Sequence, residues 1–417
     1  WFSSWLWPIT CFDGINRPDN EDIKYYYPSN VLVTAPEILF FWVARMIIAG
    51  YEYRGREPFG DVYLTGLVRD KQKRKMSKSL GNSPDPIELM EKYGADGVRV
   101  GMLLCSPAGN DLLYDDSLPE QGRNFANKIW NAFRLVMSWE TDGSIEQPAA
   151  SAAAVTWMQN TIDRTLSEIE ENFVRYRISD ALMQAYKLFW DDFSGWYLEI
   201  IKPAFGMPVD GKTRGETLAV FGTLMKIIHP FMPFITEEIW QRLADRPEGS
   251  SIMVEMMPLP GPYEAGLLTR FDTVREIVSA VRAVRKEKNI PLKEQLVLCA
   301  SPGATGTEFD PVIIRMCNLS EIRVVEGKVE GAASFRIHTS EFFIPLSDGV
   351  DHEEEIRKLK EELVYMEGFL EAVLKKLSNE KFVANAPAKV IEIERKKEAD
   401  ARARIATINE SIGHLSR

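Results

Sequence analysis

Cysteine and histidine are scarce in this chain, and positive charge is in deficit. The 417 residues include four cysteines, Cys11, Cys105, Cys299 and Cys317, scattered with no Cys-x-x-Cys pair. That excludes a disulfide scaffold and a Cys-rich zinc site, and it suits a reducing cytoplasm. The four histidines, His229, His338, His352 and His414, lie too far apart to form a motif and read as surface or packing residues. Lysine and arginine number 50 against 61 acidic residues, a net charge of −11. A chain this acidic is no generic polyanion binder, so any RNA contact must use local basic patches. No uninterrupted apolar run reaches about 18 residues, which excludes a spanning helix of that kind. The apolar start, residues 1–7, lacks a basic leader and runs into Pro8 and Asp13, unlike a signal peptide. The chain opens without Met inside an aromatic-rich segment and reads as part of a longer protein.

What is present is globular: 45% hydrophobic and 27% charged residues. At about 100–200 residues per domain, the length implies two to four domains. Residues 31–34 and 61–65 are β-type runs, and 38–49 is apolar on most sides, which suggests a buried helix. Runs alternating in this way predict an α/β unit with a parallel sheet. From about 86 to 290 the apolar residues recur at steps of 3 and 4. Val155, Met158, Ile162, Leu166 and Ile169 mark one helix, and Ile178, Leu182, Phe189 and Phe193 mark another with Ser179 as its expected N-cap. Leu218, Phe221, Leu224 and Ile228 mark a third, and prolines punctuate the series, which predicts a helix bundle. Residues 291–349 hold three short β-type runs (296–299, 322–325 and 342–346) and read as a small α+β connection. Beyond 350, Ile356, Leu359, Leu363, Met366, Leu370, Val373 and Leu377 form a heptad seam. Asn385-Ala386-Pro387 breaks it. Ile391, Ala401, Ile405, Ile408, Ile412 and Leu415 return it, with Glu394 and Glu398 weakening the middle. An antiparallel coiled coil folded back near 380–388 is expected.

The stretch from Arg69 to Asn82, RDKQKRKMSKSLGN, carries the chemistry. Six positive charges (Arg69, Lys71, Lys73, Arg74, Lys75, Lys78) fall within ten residues against the single acid Asp70. Such a run is ordinarily a solvated loop. Here Ser77 and Ser79 alternate with the lysines, and Gly81 lets the backbone turn. Lysines, hydroxyls and an accessible backbone suit a polyphosphate whose charge must be matched as a bond breaks.

The string Lys75-Met76-Ser77-Lys78-Ser79 resembles the KMSKS signature of class I aminoacyl-tRNA synthetases. The segments VRDKQKRKMSKSLGNSPDPIELMEKYGADGVR, QGRNFANKIWNAFR and HPFMPFITEEIWQ, and the KFVANAP turn, resemble the bacterial valyl-tRNA synthetase family over nearly the whole chain. The resemblance implies a multidomain, mainly α protein: a partial Rossmann-like catalytic domain (1–85), a connecting region (86–140), an anticodon-binding bundle (141–290), the small connection (291–349) and a coiled-coil tRNA-binding arm (350–417). It implies ATP binding by Lys75, Met76, Ser77, Lys78 and Ser79, with Lys75 and Lys78 as the catalytic cations. Trp1, Ile38 and Trp42 would shape a valine slot, with Thr34 and Glu37 as weaker adenylate-site candidates. The sequence departs from the family where Ala35-Pro36-Glu37 stands in place of an expected Gly-Tyr-Asp. ATP with Mg²⁺, valine and tRNA(Val) are the implied partners, with no structural zinc, no membrane and a monomeric state. Apolar slots reject a hydroxyl isostere poorly, a limit for which valyl-tRNA synthetase against threonine is itself the standard example. Nothing in the chain resembles the family's editing domain, and the class's His-x-Gly-His type motif is absent. The chain alone is therefore expected to be inactive.

For RNA, Arg123, Asn127 and Asn131 share a helical face with Lys128 beside them, opposite Phe125, Ile129 and Phe133. That face is a candidate tRNA contact. Arg282, Arg285, Lys286, Lys288 and Lys293 form a second basic cluster that reads as an ordinary surface. Lys375, Lys376, Arg395, Lys396 and Lys397 are the basic candidates of the arm. Two alternatives compete: a tRNA-binding module without activity, and an isoleucine- or leucine-type synthetase.

Overall fold

The computed structural model describes residues 2–104, 110–346 and 352–378, with scattered positions between 391 and 409. It is mostly helical, with small sheets. The chain divides into two compact units, Trp1–Glu294 with Thr305–Leu319, and Gln295–Ala304 with Ser320–Arg417.

The first unit opens with a strand–helix–strand motif. Strand β1 (Ser29–Thr34) pairs in parallel with β2 (Phe59–Leu64), in a register that sets Thr34 against Leu64. Parallel strands need a crossover, and it is supplied by a tight turn (Pro36–Ile38), a wide π turn (Leu39–Val43) and an α-helix (Ala44–Arg54). The expected single helix over 38–49 is thus three kinds of turn in series. Val43, Met46 and Phe59 are buried together, with Leu32, Trp42 and Val62 packed against them. Strand β3 (Val68–Arg69) pairs in parallel with β4 (Leu112–Leu113).

Two helices then carry the chain from the loop into the bundle. The helix Ala95–Leu104 crosses the helix Ser117–Met137 backbone to backbone. A Cβ on Gly122 would stand 2.2 Å from the carbonyl oxygen of Gly97, and one on Gly101 would stand 2.5 Å from Leu118. No real Cβ tolerates such distances, so the crossing requires glycine. Asp96 and Arg99 fasten the first helix to a corner at 230–235. The Asp96 carboxylate accepts from the backbone N–H groups of Phe234 (3.3 Å) and Ile235 (2.7 Å). It caps the otherwise unsatisfied start of the helix Pro233–Leu243. Arg99 donates to the carbonyls of Phe231 (3.2 Å) and Pro230 (3.1 Å).

The bundle centre is aromatic. Phe189, Phe193 and Tyr197 lie one turn apart on a ten-residue π-helical stretch, Leu188–Tyr197. The rings of Phe189 and Phe193 meet each other and Phe221, Tyr197 stacks on Phe193, and Phe189 also meets Phe125, at centroid separations of 5.3–5.9 Å. The Tyr197 hydroxyl pairs with Thr217 Oγ1 at 3.0 Å, so its buried polar tip is satisfied. Ser179 does not cap its helix. It lies inside Ile178–Lys187 and donates its hydroxyl to the Leu103 carbonyl at 2.7 Å, a long-range partner that outcompetes the local one.

In the second unit, strands Leu296–Ala300 (β7), Leu319–Val324 (β8), Ala332–Ile337 (β9) and Ser340–Pro345 (β10) form a sheet in the order β8-β7-β10-β9; the intervening pair β5 (Thr141–Asp142) and β6 (Val209–Asp210) belongs to the first unit. Strand β9 was not among the expected runs, because Ala-Ala-Ser-Phe-Arg-Ile has little hydrophobic alternation. A single helix, His352–Leu377, follows, and the described positions from 391 to 409 are helical. Val373 and Ala401, both on the expected seams, are buried, and so is Glu394, which pairs with Lys397 at 2.8 Å. The expected fold-back near 380–388, with the KFVANAP turn, lies outside the described residues.

Candidate active site

Ligand sites in parallel sheets gather at the carboxyl ends of the strands. Here β1 ends at Thr34 and β2 at Leu64, side by side, and Thr65 N–H donates to the Thr34 carbonyl at 2.8 Å. The segment after β1 presents Glu37 and Ile38, and the segment after β2 leads through Gly66 into the basic loop. A Cβ on Gly66 would lie 1.6 Å from the carbonyl oxygen of Asn110, so only glycine passes there.

The loop leaves β3, turns at Lys73 with φ of 63°, and returns so that Lys75 bridges back to Arg69. Asp70 organises the turn. Its carboxylate accepts from the backbone N–H of Gln72 (3.0 Å) and Arg74 (2.9 Å), from Arg74 Nε (2.8 Å) and from Asn82 Nδ2 (2.9 Å). The hydrogen bond from Asn82, with those from Arg74, holds the Asp70 carboxyl down at about 2. Asn82 Oδ1 in turn accepts from Ser77 N–H at 2.9 Å, and Ser77 Oγ meets Ser79 Oγ at 3.1 Å. Arg74 and Asn82, on either side of the signature, are therefore clipped to one carboxylate. Lys78 begins a short 3₁₀ turn (Lys78–Leu80).

The cations are less isolated than their sequence suggests. Arg69 pairs with Asp111, Lys71 with Asp115 at 2.8 Å, Arg74 with Asp70 at 2.7 Å, and Lys75 with Glu37 at 2.6 Å. The expected charge imbalance of the loop is thus corrected by acids from elsewhere in the chain. The carboxyls of Asp111 and Asp115 are both lowered, by hydrogen bonds from Arg69 and Lys71 respectively.

An apolar cavity of about 460 Å³ is lined by Leu32, Thr34, Ile38, Trp42 and Met46 from the strand–helix unit and by Ser3, Ser4 and Trp7 from the start of the chain. Ile38 and Trp42 share this cavity as the sequence reading grouped them. Trp1 lies outside the described residues, and the indole that lines the cavity from this side is Trp7. Thr34 belongs to the lining; Glu37 does not, but it directly precedes Ile38, which does, and it pairs with Lys75. Trp7, Leu32 and Met46 were missed because nothing local distinguishes them from core residues. Lys75 and Met76 also line a second apolar cavity, of about 500 Å³, with Leu67, Val68, Pro86, Leu89 and Tyr114.

The candidate RNA face is as the helical spacing drew it. Arg123, Asn127 and Asn131 are exposed on the helix Ser117–Met137, opposite buried Phe125, Ile129 and Phe133. Lys128 is half-buried, with its ammonium 5.3 Å from the centroid of Trp190, and Arg123 donates to the Lys92 carbonyl. The second basic cluster is split. Arg285 is only 4% exposed and donates to the carbonyls of Pro291, Glu294, Cys317 and Asn318 at 2.8–3.3 Å. It is a structural clasp, and the other members of its cluster remain at the surface or half-buried. Lys375, Lys376, Arg395 and Lys397 are exposed; Lys396 lies outside the described residues.

Known proteins match along the chain. Residues 1–115 match the family "tRNA synthetases class I (I, L, M and V)", residues 156–300 the "Anticodon-binding domain of tRNA ligase", and residues 351–416 the "Valyl tRNA synthetase tRNA binding arm". The valine–tRNA ligase of Parabacteroides distasonis is 57% identical over the whole of this chain, which covers 48% of that relative. The chain is similar to valyl-tRNA synthetases along its whole length. The enzyme of the same name from Bacteroides fragilis is 58% identical and that from Chlorobaculum tepidum 36% identical, with 48% and 49% of their lengths covered. The chain thus spans about half the length of these valyl-tRNA synthetases. Among solved structures, the ternary LeuRS–tRNA–LeuAMS complex of Agrobacterium radiobacter K84 aligns with 72% of this chain and 34% of its own, at 17% identity and a TM-score of 0.48. Mycobacterium tuberculosis methionyl-tRNA synthetase aligns over 60% and 52%, at 21% identity and a TM-score of 0.42.

Proposed function

We propose that the protein to which this chain belongs is a valine–tRNA ligase. It activates valine with ATP, with Mg²⁺ arriving on the nucleotide, and transfers valine from the adenylate to the terminal adenosine of tRNA(Val). Residues 1–85 form part of a Rossmann-like catalytic domain, 86–140 connect it to an anticodon-binding bundle at 141–290, 291–349 form a small connection, and 350–417 fold as an antiparallel coiled-coil arm. The protein acts in the cytoplasm as a monomer.

The observation that carries this reading is the meeting of two unlike surfaces. A serine-spaced lysine loop, braced by Asp70 and Asn82, reaches through the Lys75–Glu37 pair to the turn whose last residue, Ile38, lines an apolar cavity of about 460 Å³. Lys75 and Lys78 supply positive charge to the phosphates as pyrophosphate departs, while Met76, Ser77 and Ser79 shape the loop around the nucleotide. Charge placed in advance at the position where it develops lowers the barrier without rearrangement. Trp1, Ile38 and Trp42 shape the valine slot, and Trp7 lines the same cavity as Ile38 and Trp42. Arg123, Asn127, Lys128 and Asn131 face the tRNA.

Valine-dependent ATP–pyrophosphate exchange tests the reading, in a protein of the relatives' full length. Changing Lys75 and Lys78 together to Ala is expected to lower exchange by about 10²–10³-fold or more, since removing one such donor alone costs about that much. Helical content and melting temperature should be unchanged. Exchange at the normal rate in this variant, or equal exchange with isoleucine, would remove the reading.

A further inference from the structure

The contact between Lys75 and Glu37 has no counterpart in the local sequence. Thirty-eight positions separate the two residues, and the register of β1 with β2 brings them together. Glu37 sits on the turn Pro36–Ile38, directly before Ile38 of the apolar cavity. Its carboxylate Oε1 lies 2.6 Å from Lys75 Nζ. The side chains are 42% and 53% exposed, so the pair is reachable by solvent and by solute. Arg69 and Lys71 pair with Asp111 and Asp115, and Arg74 pairs with Asp70 inside the loop; of these four pairs only that of Lys75 reaches the turn whose last residue, Ile38, lines the cavity. The pairing uses the Ala35-Pro36-Glu37 stretch that follows β1. Glutamate reaches one methylene farther than aspartate, and Pro36 fixes the backbone at the start of the turn.

We propose that Glu37 is a positioning residue for Lys75. In the nucleotide-free protein it parks the first lysine of the loop at the turn that ends in Ile38. An arriving triphosphate takes the lysine from it. The exchange is one of partners, with no bond made or broken: the ammonium leaves a carboxylate for a phosphate oxygen, and the carboxylate is released. The geometry favours an exchange over a permanent bridge, because an exposed single ion pair is weak enough to yield to a polyanion. The parked loop is otherwise held by a short set of bonds: Met76 N–H to the Val68 carbonyl at 3.1 Å, Ser77 N–H to Asn82 and Leu80 N–H to the Ser77 carbonyl at 3.3 Å. Those amides report whether the loop is parked. This inference rests on the reading of the loop as a phosphate binder.

Hydrogen exchange of the Met76, Ser77 and Leu80 amides in the full-length protein tests it. Without nucleotide, Glu37→Gln and Lys75→Met are each expected to speed exchange about two- to fivefold, the effect that an exposed ion pair can have. The double variant should show no more than either single change, and Glu37→Asp, which keeps the charge, should recover part of the protection. With saturating ATP, Glu37→Gln and the unaltered protein should exchange alike. Unchanged exchange in Glu37→Gln without nucleotide, or additive effects in the double variant, would overturn the parking role and leave the phosphate reading standing. If ATP fails to protect the loop even in the unaltered protein, the phosphate reading itself falls, and the exchange of partners with it.

Discussion

The basic loop at 69–82 and the aromatic centre of the bundle are held by opposite means. Around Phe193 and Phe221, order comes from the removal of large rings from water, which is non-directional and strong in sum. Around Asp70, order comes from a handful of directional bonds to one buried carboxylate, in a segment where Lys71, Lys73, Lys75 and Ser79 are exposed. The first arrangement suits a scaffold that keeps its shape whatever is bound. The second suits a segment that must reshape around a ligand, since each bond is individually weak and water can replace it. Between them in sequence, the helices Ala95–Leu104 and Ser117–Met137 cross in close backbone contact at Gly97 and Gly122.

The largest expected effect falls on the bundle. Phe221→Ala removes a fully buried ring that meets Phe133, Phe189 and Phe193. A stability loss of about 3–5 kcal/mol is expected, read from the shift of the urea midpoint. Exchange of the 69–82 amides should stay as it was until the unfolding transition. If the loop loosens in step with the bundle, the two regions are one cooperative body and the contrast fails. The paired lysine change at 75 and 78 is the mirror image: about as large in rate, with almost nothing lost in stability.

A smaller effect is expected at the joint. Asp96 is 6% exposed and caps the helix Pro233–Leu243 through two backbone N–H groups. Asp96→Ala should cost about 0.5–2 kcal/mol, the range for a lost N-cap, while Asp96→Asn, which keeps an acceptor, should cost less. Chemical denaturation of the two variants side by side checks the order. Equal losses would mean that the cap is not what Asp96 contributes.

Legibility in the sequence divides along the same line. The basic loop was legible as a candidate site because its lysines and serines, Lys75 to Ser79, are consecutive in the sequence. The bundle was readable because burial imposes a period of 3.6 on Val155, Met158 and Ile162. Contacts set by tertiary register were not. Asp111, Asp115 and Glu37 reach the loop's cations only once β1 meets β2 and β3 meets β4. Trp7 lines the cavity with Ile38 and Trp42 although nothing in its local sequence marks it, and Arg285 turns inward although it stands in a basic run that reads as surface. Ser179 had the right side chain for a cap and found a stronger partner 76 positions away. In each of these cases the residue type was informative and its partner was not.

The smallest effect sharpens the comparison most, because it concerns the loop's brace alone. Asp70 has a folded carboxyl at about 2 against an ordinary value of 3.8, with the bond from Asn82 as its main cause. An acid whose folded value is lowered stabilises the folded form fully above its unfolded value and loses that contribution as pH falls through the folded one. Loop protection should therefore be flat above about pH 4 and decline between pH 4 and 2 as Asp70 takes up a proton. Protonation removes the charge that holds Arg74 and turns one acceptor into a donor facing the Asn82 amide. Asp70→Asn should show reduced protection of the Gln72, Arg74 and Ser77 amides at neutral pH, without the decline below pH 4. Amide exchange over that range, with the bundle amides as an internal reference, measures both. A decline of equal size in the Asn variant would assign the acid sensitivity to Asp111 and Asp115 instead, whose pairs with Arg69 and Lys71 titrate in the same direction.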